Sequence, residues 1–326
     1  RLPRWESEMS SQYHHVPVFA DEVIALLQPR SNQNFIDATV GGGGHAERIL
    51  ALTGPEGVLI GLDLDPEALH AARERLTAFG KRAVLLKVNY ADIEKILSSL
   101  EARPRISGCI LDLGISSPQL DTSGRGFSFR DTGRLDMRFD TDAGEDASQL
   151  LMTTSEEELS TMLRQFGEVR GARRIAREII AIRDEAKARG RDVIDVQDIV
   201  TVAARIAPKT RRTHTHPATQ VFQALRIAVN RELDNLRLFL PQIVSVLEPG
   251  GRIAVIAYHS LEDRIVKQFF RIESRDCLCP REIPVCRCGH QRTVRRVTEH
   301  AVAVSDAERG GNPRSRSAHL RVAEKI

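Results

Sequence analysis

The feature that most constrains this chain is an apolar run that empties into glycine. Phe35-Ile36-Asp37-Ala38-Thr39-Val40 is followed by Gly41-Gly42-Gly43-Gly44, and then by His45 and Ala46 at the start of a helical pattern. A strand that stops on glycines lets a ligand approach bare backbone. Twenty residues beyond Gly43 a second apolar run, Val58 to Leu62, ends on Asp63. Nucleoside-binding folds place a carboxylate for ribose hydroxyls at about this separation. Loop and carboxylate together point to a nucleoside-containing cofactor. The competing reading is a tight strand-to-helix turn in which Asp63 merely caps the next helix.

The alternation continues along the chain. Strand patterns at residues 35–40, 58–63, 83–88 and 108–113 are separated by helical patterns from His45, over 66–79 and from Asp92. The run from Gly108 to Leu113 is apolar on both faces, as a covered central parallel strand must be. The expected fold class is α/β with a Rossmann-like, mostly parallel sheet. The rhythm breaks at Asp121 to Glu145, rich in Gly, Asp and Arg, and Ser155 to Ile206 reads as several helices, the first opened by the capping box Ser155 to Glu158. The chain then returns to the sheet through a helix carrying Val221, Leu225 and Val229 and a strand from Gly250 to Tyr258. Residues 293–304 and 317–323 alternate like strands that close the sheet antiparallel. The expected division is a cofactor-binding core in two parts, 12–120 and 216–326, around an inserted, mostly helical substrate-recognition lobe at 121–215.

Composition narrows the class of partner. A chain of 326 residues with 41% hydrophobic content buries a substantial core. No apolar stretch approaches the roughly 20 residues of a membrane span, and the first dozen residues lack a secretory apolar region, so a cytoplasmic location is the default expectation. Lys plus Arg, 47, barely exceed Asp plus Glu, 44. The excess is nevertheless concentrated: basic residues outnumber acidic ones roughly two to one over 164–231 and again over 264–325. Such patches suit nucleic acid, although a solvated surface has the same composition.

Gly41, Gly43 and Ala46 fit the spacing of dinucleotide-binding loops, so a nicotinamide oxidoreductase is one candidate. A Walker-type site is excluded here, because no Gly-Lys-Ser or Gly-Lys-Thr follows the glycines. S-adenosylmethionine is the other candidate: it carries no phosphate, and Asp63 would accept hydrogen bonds from both its ribose hydroxyls. The segment Asp112-Leu113-Gly114-Ile115-Ser116-Ser117-Pro118-Gln119-Leu120 decides between them, since hydride transfer has no need of it. Enzymes that methylate exocyclic amines carry a short polar, Pro-containing loop at this place, to which Ser117-Pro118-Gln119 is similar in part, without the second Pro and the aromatic.

These residues, taken with others, resemble a family. His15-Val16-Pro17-Val18, Gly42 to His45, Asp112 to Asp121, Arg125 to Phe129 with Leu135 to Arg138, Phe222 to Ile227, His259 to Arg264 and Asn312 to Ala318 are similar in order to the bacterial small-subunit ribosomal RNA cytosine-N4 methyltransferases of the MraW or RsmH type. The resemblance implies an S-adenosylmethionine-dependent methyltransferase sheet with an inserted helical lobe. It also implies that Gly43, Gly44 and His45 contact the cofactor, that Asp63 holds the ribose and Tyr90 meets the adenine, and that Asp112 and Gln119 complete the pocket. The implied substrate is a cytosine of 16S ribosomal RNA within the small subunit. Ser117 is the candidate for positioning its amine. Arg170, Arg173, Arg174, Arg177, Lys209, Arg211 and Arg212 are candidates for phosphate contacts, and Arg125 and Arg138 for the substrate side. Arg134 and Asp136 are expected to form a loop ion pair. A non-catalytic ribosome-assembly factor would use the same basic surface.

Cys277, Cys279, Cys286 and Cys288, with His290 close by, place four thiols and an imidazole in a short excursion. A structural zinc site is chemically reasonable, and free thiols or a disulfide pair are the alternatives. Family members without these cysteines mean that no metal is assigned to the reaction.

Overall fold

The computed structural model describes residues 17–100, 104–115, 124–206, 218–280, 282 and 285–326. Five parallel strands build the centre of one sheet: β1 (Asn34–Asp37), β2 (Leu59–Asp63), β3 (Ala83–Lys87), β4 (Ile106–Asp112) and β5 (Leu247–Ala257). β6 (Val294–Arg296) and β7 (Val302–Ala303) both pair antiparallel with β8 (His319–Lys325), which is itself antiparallel to β5. The order is β3-β2-β1-β4-β5-β8-β6. The molecule is therefore an α/β protein with a Rossmann-like sheet. The direction of winding reverses between β1 and β4, which opens a crevice at their carboxyl ends.

Period-two alternation sorts the strands between two cores. Ile36, Leu111 and Val255 face one core, completed by α4 (Ile93–Ser98), α10 (Glu232–Val246) and α11 (Ser260–Glu273). Phe35, Ile110, Ala254 and Ile256 face the other, completed by α1 (Ala20–Leu27), α2 (Gly44–Leu52) and α3 (Pro66–Arg75). With helices on both faces, the central strands have no polar side, which is why their sequence reads as nearly continuous Val, Ile and Leu.

Two expected elements are shorter than their patterns. The strand expected over 35–40 ends at Asp37, yet Ala38 N–H donates to Ile110 O at 2.9 Å and Val40 N–H to Leu62 O at 2.8 Å. The loop is thus pulled between β4 and β2 and wedges the crevice open. The helix expected over 66–79 stops at Arg75 and gives way to a 3-10 turn, Thr77–Arg82, broken by Gly80 at φ 54°.

A third core lies outside the sheet. α5 (Ala147–Thr153), α6 (Glu156–Gly167), α7 (Ala172–Ala188), α8 (Val196–Ile206) and α9 (Ala218–Asn230) bury Leu151, Leu159, Leu163, Ile175, Ile199 and Leu225 against one another and against Phe127 and Met137 of the preceding loop. Capping boxes at Asp146 and Ser155 satisfy the first amides of α5 and α6. α12 (Asp306–Gly311) precedes β8. Among the described residues no helix is long and apolar enough to cross a membrane.

Candidate active site

Three neighbouring strands end on a carboxylate at the crevice: β1 on Asp37, β2 on Asp63 and β4 on Asp112. Beside them the glycine turn bends with Gly41 at φ 50° and Gly43 at φ 80°, conformations that a side chain strains. Gly42 has open space where a Cβ would stand, whereas Gly43 packs on Leu76 and Ala72 of α3. Bare backbone is therefore presented outward at Gly42 and anchored inward at Gly43.

Asp63 is held by two backbone amides, Gly41 N–H to Oδ2 and Asp65 N–H to Oδ1, each at 2.9 Å. Each oxygen keeps a lone pair free for a further donor. It does not cap α3: that is done by Asp65, whose side chain accepts from Glu67 N–H at 3.0 Å. His45 does not cap α2 either, since the N-cap is Gly43 with no side-chain bond; His45 is buried with Nε2 at 3.8 Å from Asp112 Oδ2.

Desolvation dominates the electrostatics of the three acids. It pushes Asp63 up to about 6, against the amides of Asp65 and Gly41, which favour its ionised form. It pushes Asp112 up to about 7, opposed by the Tyr258 hydroxyl, which donates to Asp112 Oδ1 at 2.9 Å. Buried Asp37 is pushed to about 8, with Asp112 and Asp63 adding repulsion. A quarter of the Asp112 side chain still meets solvent, so a ligand can reach it. Carboxyls crowded in this way favour a cationic ligand over a phosphate.

Tyr90 lies half-buried after β3, its ring edge-on to Phe239 of α10 at 5.2 Å. Ser117 and Gln119 lie outside the described residues, as do Lys209, Arg211 and Arg212. Arg170, Arg173, Arg174 and Arg177 are exposed at the start of α7, Arg177 within 3.6 Å of Glu156. The loop arginines depart from expectation. Arg125 turns inward, pairing with buried Asp65 and donating to Arg138 O at 2.8 Å. Arg138 pairs with Asp136 at 2.7 Å, and Arg134 instead reaches Asp146 at 2.7 Å. Asp146 is the buried N-cap of α5, whereas Arg138 closes a short ring on Asp136.

Two features went unassigned in the sequence. Asp37 lies inside the apolar run of the sequence, and only the early end of β1 brings it level with Asp63 at the crevice. Tyr258 also passes under Gly114, where an added Cβ would sit 2.9 Å from its ring, so one tyrosine sets both Asp112 and the start of the following loop. Behind it, Glu262 accepts from Tyr258 N–H at 2.8 Å, and Arg226 of α9 pairs with Glu232 of α10 at 2.8 and 2.9 Å.

Comparison with known proteins fits this geometry. The family model described as the MraW methylase family matches residues 12–326. The chain belongs to the MraW methylase family. Its methyl donor is S-adenosylmethionine, which removes the nicotinamide alternative. A ribosomal RNA small subunit methyltransferase H of Syntrophotalea carbinolica is 47% identical over 96% of this chain and 98% of its own. The protein of that name from Citrifermentans bemidjiense is 46% identical over 96% and 99%. Among solved structures, SMU.1697c of Streptococcus mutans in complex with SAH covers 96% of this chain and 100% of its own, at 14% identity and a TM-score of 0.42.

Proposed function

We propose that this methylase modifies small-subunit ribosomal RNA, and that its acceptor is the N4 exocyclic amine of a cytosine in the decoding region of 16S ribosomal RNA. The observation that carries the reading is an acidic crevice at the switch point of the sheet, joined by the Arg125–Asp65 pair to a lobe with exposed arginines. Near-full-length relatives named for small-subunit ribosomal RNA methylation support the choice of substrate. Residues 12–120 and 216–326 serve as the two parts of the cofactor core and 121–215 as the substrate lobe, whose apolar packing extends into α9.

When bound, S-adenosylmethionine supplies an electrophilic methyl on a positively charged sulfur. Asp63 takes the ribose hydroxyls through the lone pairs its two amide bonds leave free. Gly43, Gly44 and His45 line the methionine side, and Tyr90 meets the adenine. Asp112, fixed by Tyr258, completes the pocket with Gln119.

A cytosine amine is a poor nucleophile because its lone pair is delocalised into the ring. Acceptors must hold its N–H groups so that the lone pair faces the methyl. Ser117 is the positioning group, and Asp112 shares that task. Transfer would form a nitrogen–carbon bond and break the donor's carbon–sulfur bond, with the amine proton passing to water afterwards. No thiol attack on the base is needed, because the amine already carries a lone pair, and Cys109 is buried in β4. The base must be unstacked to enter, and Arg170, Arg173, Arg174 and Arg177 grip the surrounding phosphates.

Incubation with labelled cofactor and immature small subunits, followed by nucleoside mass spectrometry, tests this. N4-methylcytosine is expected. Label on carbon or ribose would remove the amine mechanism, and unlabelled RNA would favour an assembly factor.

A further inference from the structure

Among its described residues, the excursion between α11 and β6 builds no core of its own. Its bulky apolar residues Leu278 and Val285 are exposed at 40% and 69%, and three of its four cysteines are exposed. Among its described residues it is fastened near its base, where Thr293 N–H donates to Glu273 O at 2.9 Å and Thr293 Oγ1 to the Glu273 carboxylate at 2.7 Å, and Arg292 pairs with Asp276 at 3.2 Å. A segment that buries so little apolar surface needs another source of free energy to hold one shape.

The sulfurs supply one. The Sγ atoms of Cys277, Cys279, Cys286 and Cys288 all lie within 4.8 Å of one another. Cys277 to Cys286 is 3.4 Å, Cys286 to Cys288 3.5 Å and Cys277 to Cys288 3.8 Å. Zinc–thiolate bonds of about 2.3 Å in a tetrahedron put sulfurs about 3.8 Å apart. Four sulfurs converging on one point suit a single ion, whereas disulfides require separate pairs at about 2.05 Å. A tetrathiolate site carries surplus negative charge, and backbone amides already face it: Leu278 N–H donates to Cys288, Cys279 N–H to Cys277 and Arg287 N–H to Cys279, at 3.3 to 3.4 Å. His290 is not needed as a ligand, for its Nε2 sits 3.2 Å from Ile272 O.

We propose that Cys277, Cys279, Cys286 and Cys288 bind one structural zinc ion that staples this excursion. The site is remote from the chemistry. α11 leaves the crevice end of β5 at Ser260 and runs back along the sheet, so the cysteines follow its far end, where β6 begins. Four protein ligands leave no open position, which fits a structural ion and not a Lewis acid.

Elemental analysis of full-length protein purified without chelator should find one zinc per chain, and none in the Cys279→Ser/Cys288→Ser double variant. Cobalt(II) replacing the zinc should give the thiolate charge-transfer and visible bands of tetrahedral sulfur coordination. Under native conditions the four thiols, three of them exposed, should resist alkylation until a chelator is added. Absence of metal together with immediate alkylation, two disulfides by mass spectrometry, iron in place of zinc, or full zinc retention by the double variant would each overturn the proposal. None of these readouts depends on methyl transfer.

Discussion

Asp37, Asp63 and Asp112 set how the site responds to pH. Their folded values, about 8, 6 and 7, all lie above the unfolded carboxyl value of 3.8. At these three groups the folded chain therefore holds more protons than the unfolded one between about pH 4 and 8, and the stability they contribute falls as pH rises through that window. A cationic ligand favours the ionised acids and reverses the trend. Calorimetry from pH 6 to 8 should find S-adenosylmethionine affinity rising with pH more steeply than that of uncharged-sulfur S-adenosylhomocysteine; equal slopes would place the sulfonium away from these acids. Tyr258→Phe removes a hydrogen bond that favours ionised Asp112. The variant should lose about 1–2 kcal/mol of stability and shift the acid limb of the activity profile, where Asp112 ionises, to higher pH, measured by denaturant unfolding and a pH–rate profile. Asp63 was legible because it ends an apolar run at a set distance from the glycines. Tyr258 was not, because it meets Asp112 from 146 positions away and only sheet pairing brings them together.

Among the elements, the βα rhythm of the first half was legible because covered parallel strands and amphipathic helices differ so strongly in period. The closing strands were less so: the alternation over 293–304 is divided into β6 and β7 by a turn at residues 297–301 that no local pattern announces. Ion pairs were least legible, since proximity in sequence suggested Arg134 with Asp136 and the N-cap of α5 drew Arg134 to Asp146 instead. The join that matters most is Arg125 on Asp65, with side chains 11% and 1% exposed. Arg125→Ala leaves a buried carboxylate that also caps α3 without its guanidinium, and should cost about 3–5 kcal/mol in chemical unfolding. A loss below 1 kcal/mol would mean that the pair contributes no more than a surface contact.

For the whole molecule, the proposed function gives the acidic crevice to the cofactor and the arginine-bearing lobe to RNA. Their salt responses should differ. Affinity for small-subunit RNA should fall steeply with ionic strength, and replacing Arg170, Arg173 and Arg174 with Ala should reduce the slope of log affinity against log salt by about 2, with S-adenosylhomocysteine binding unchanged. The measurement that tests the central claim most directly is calorimetric titration of S-adenosylhomocysteine into wild type and Asp63→Ala. Loss of two ribose hydrogen bonds should weaken binding by about 2 kcal/mol, roughly thirtyfold. Unchanged affinity in a folded Asp63→Ala protein would contradict a donor seated across the glycine turn.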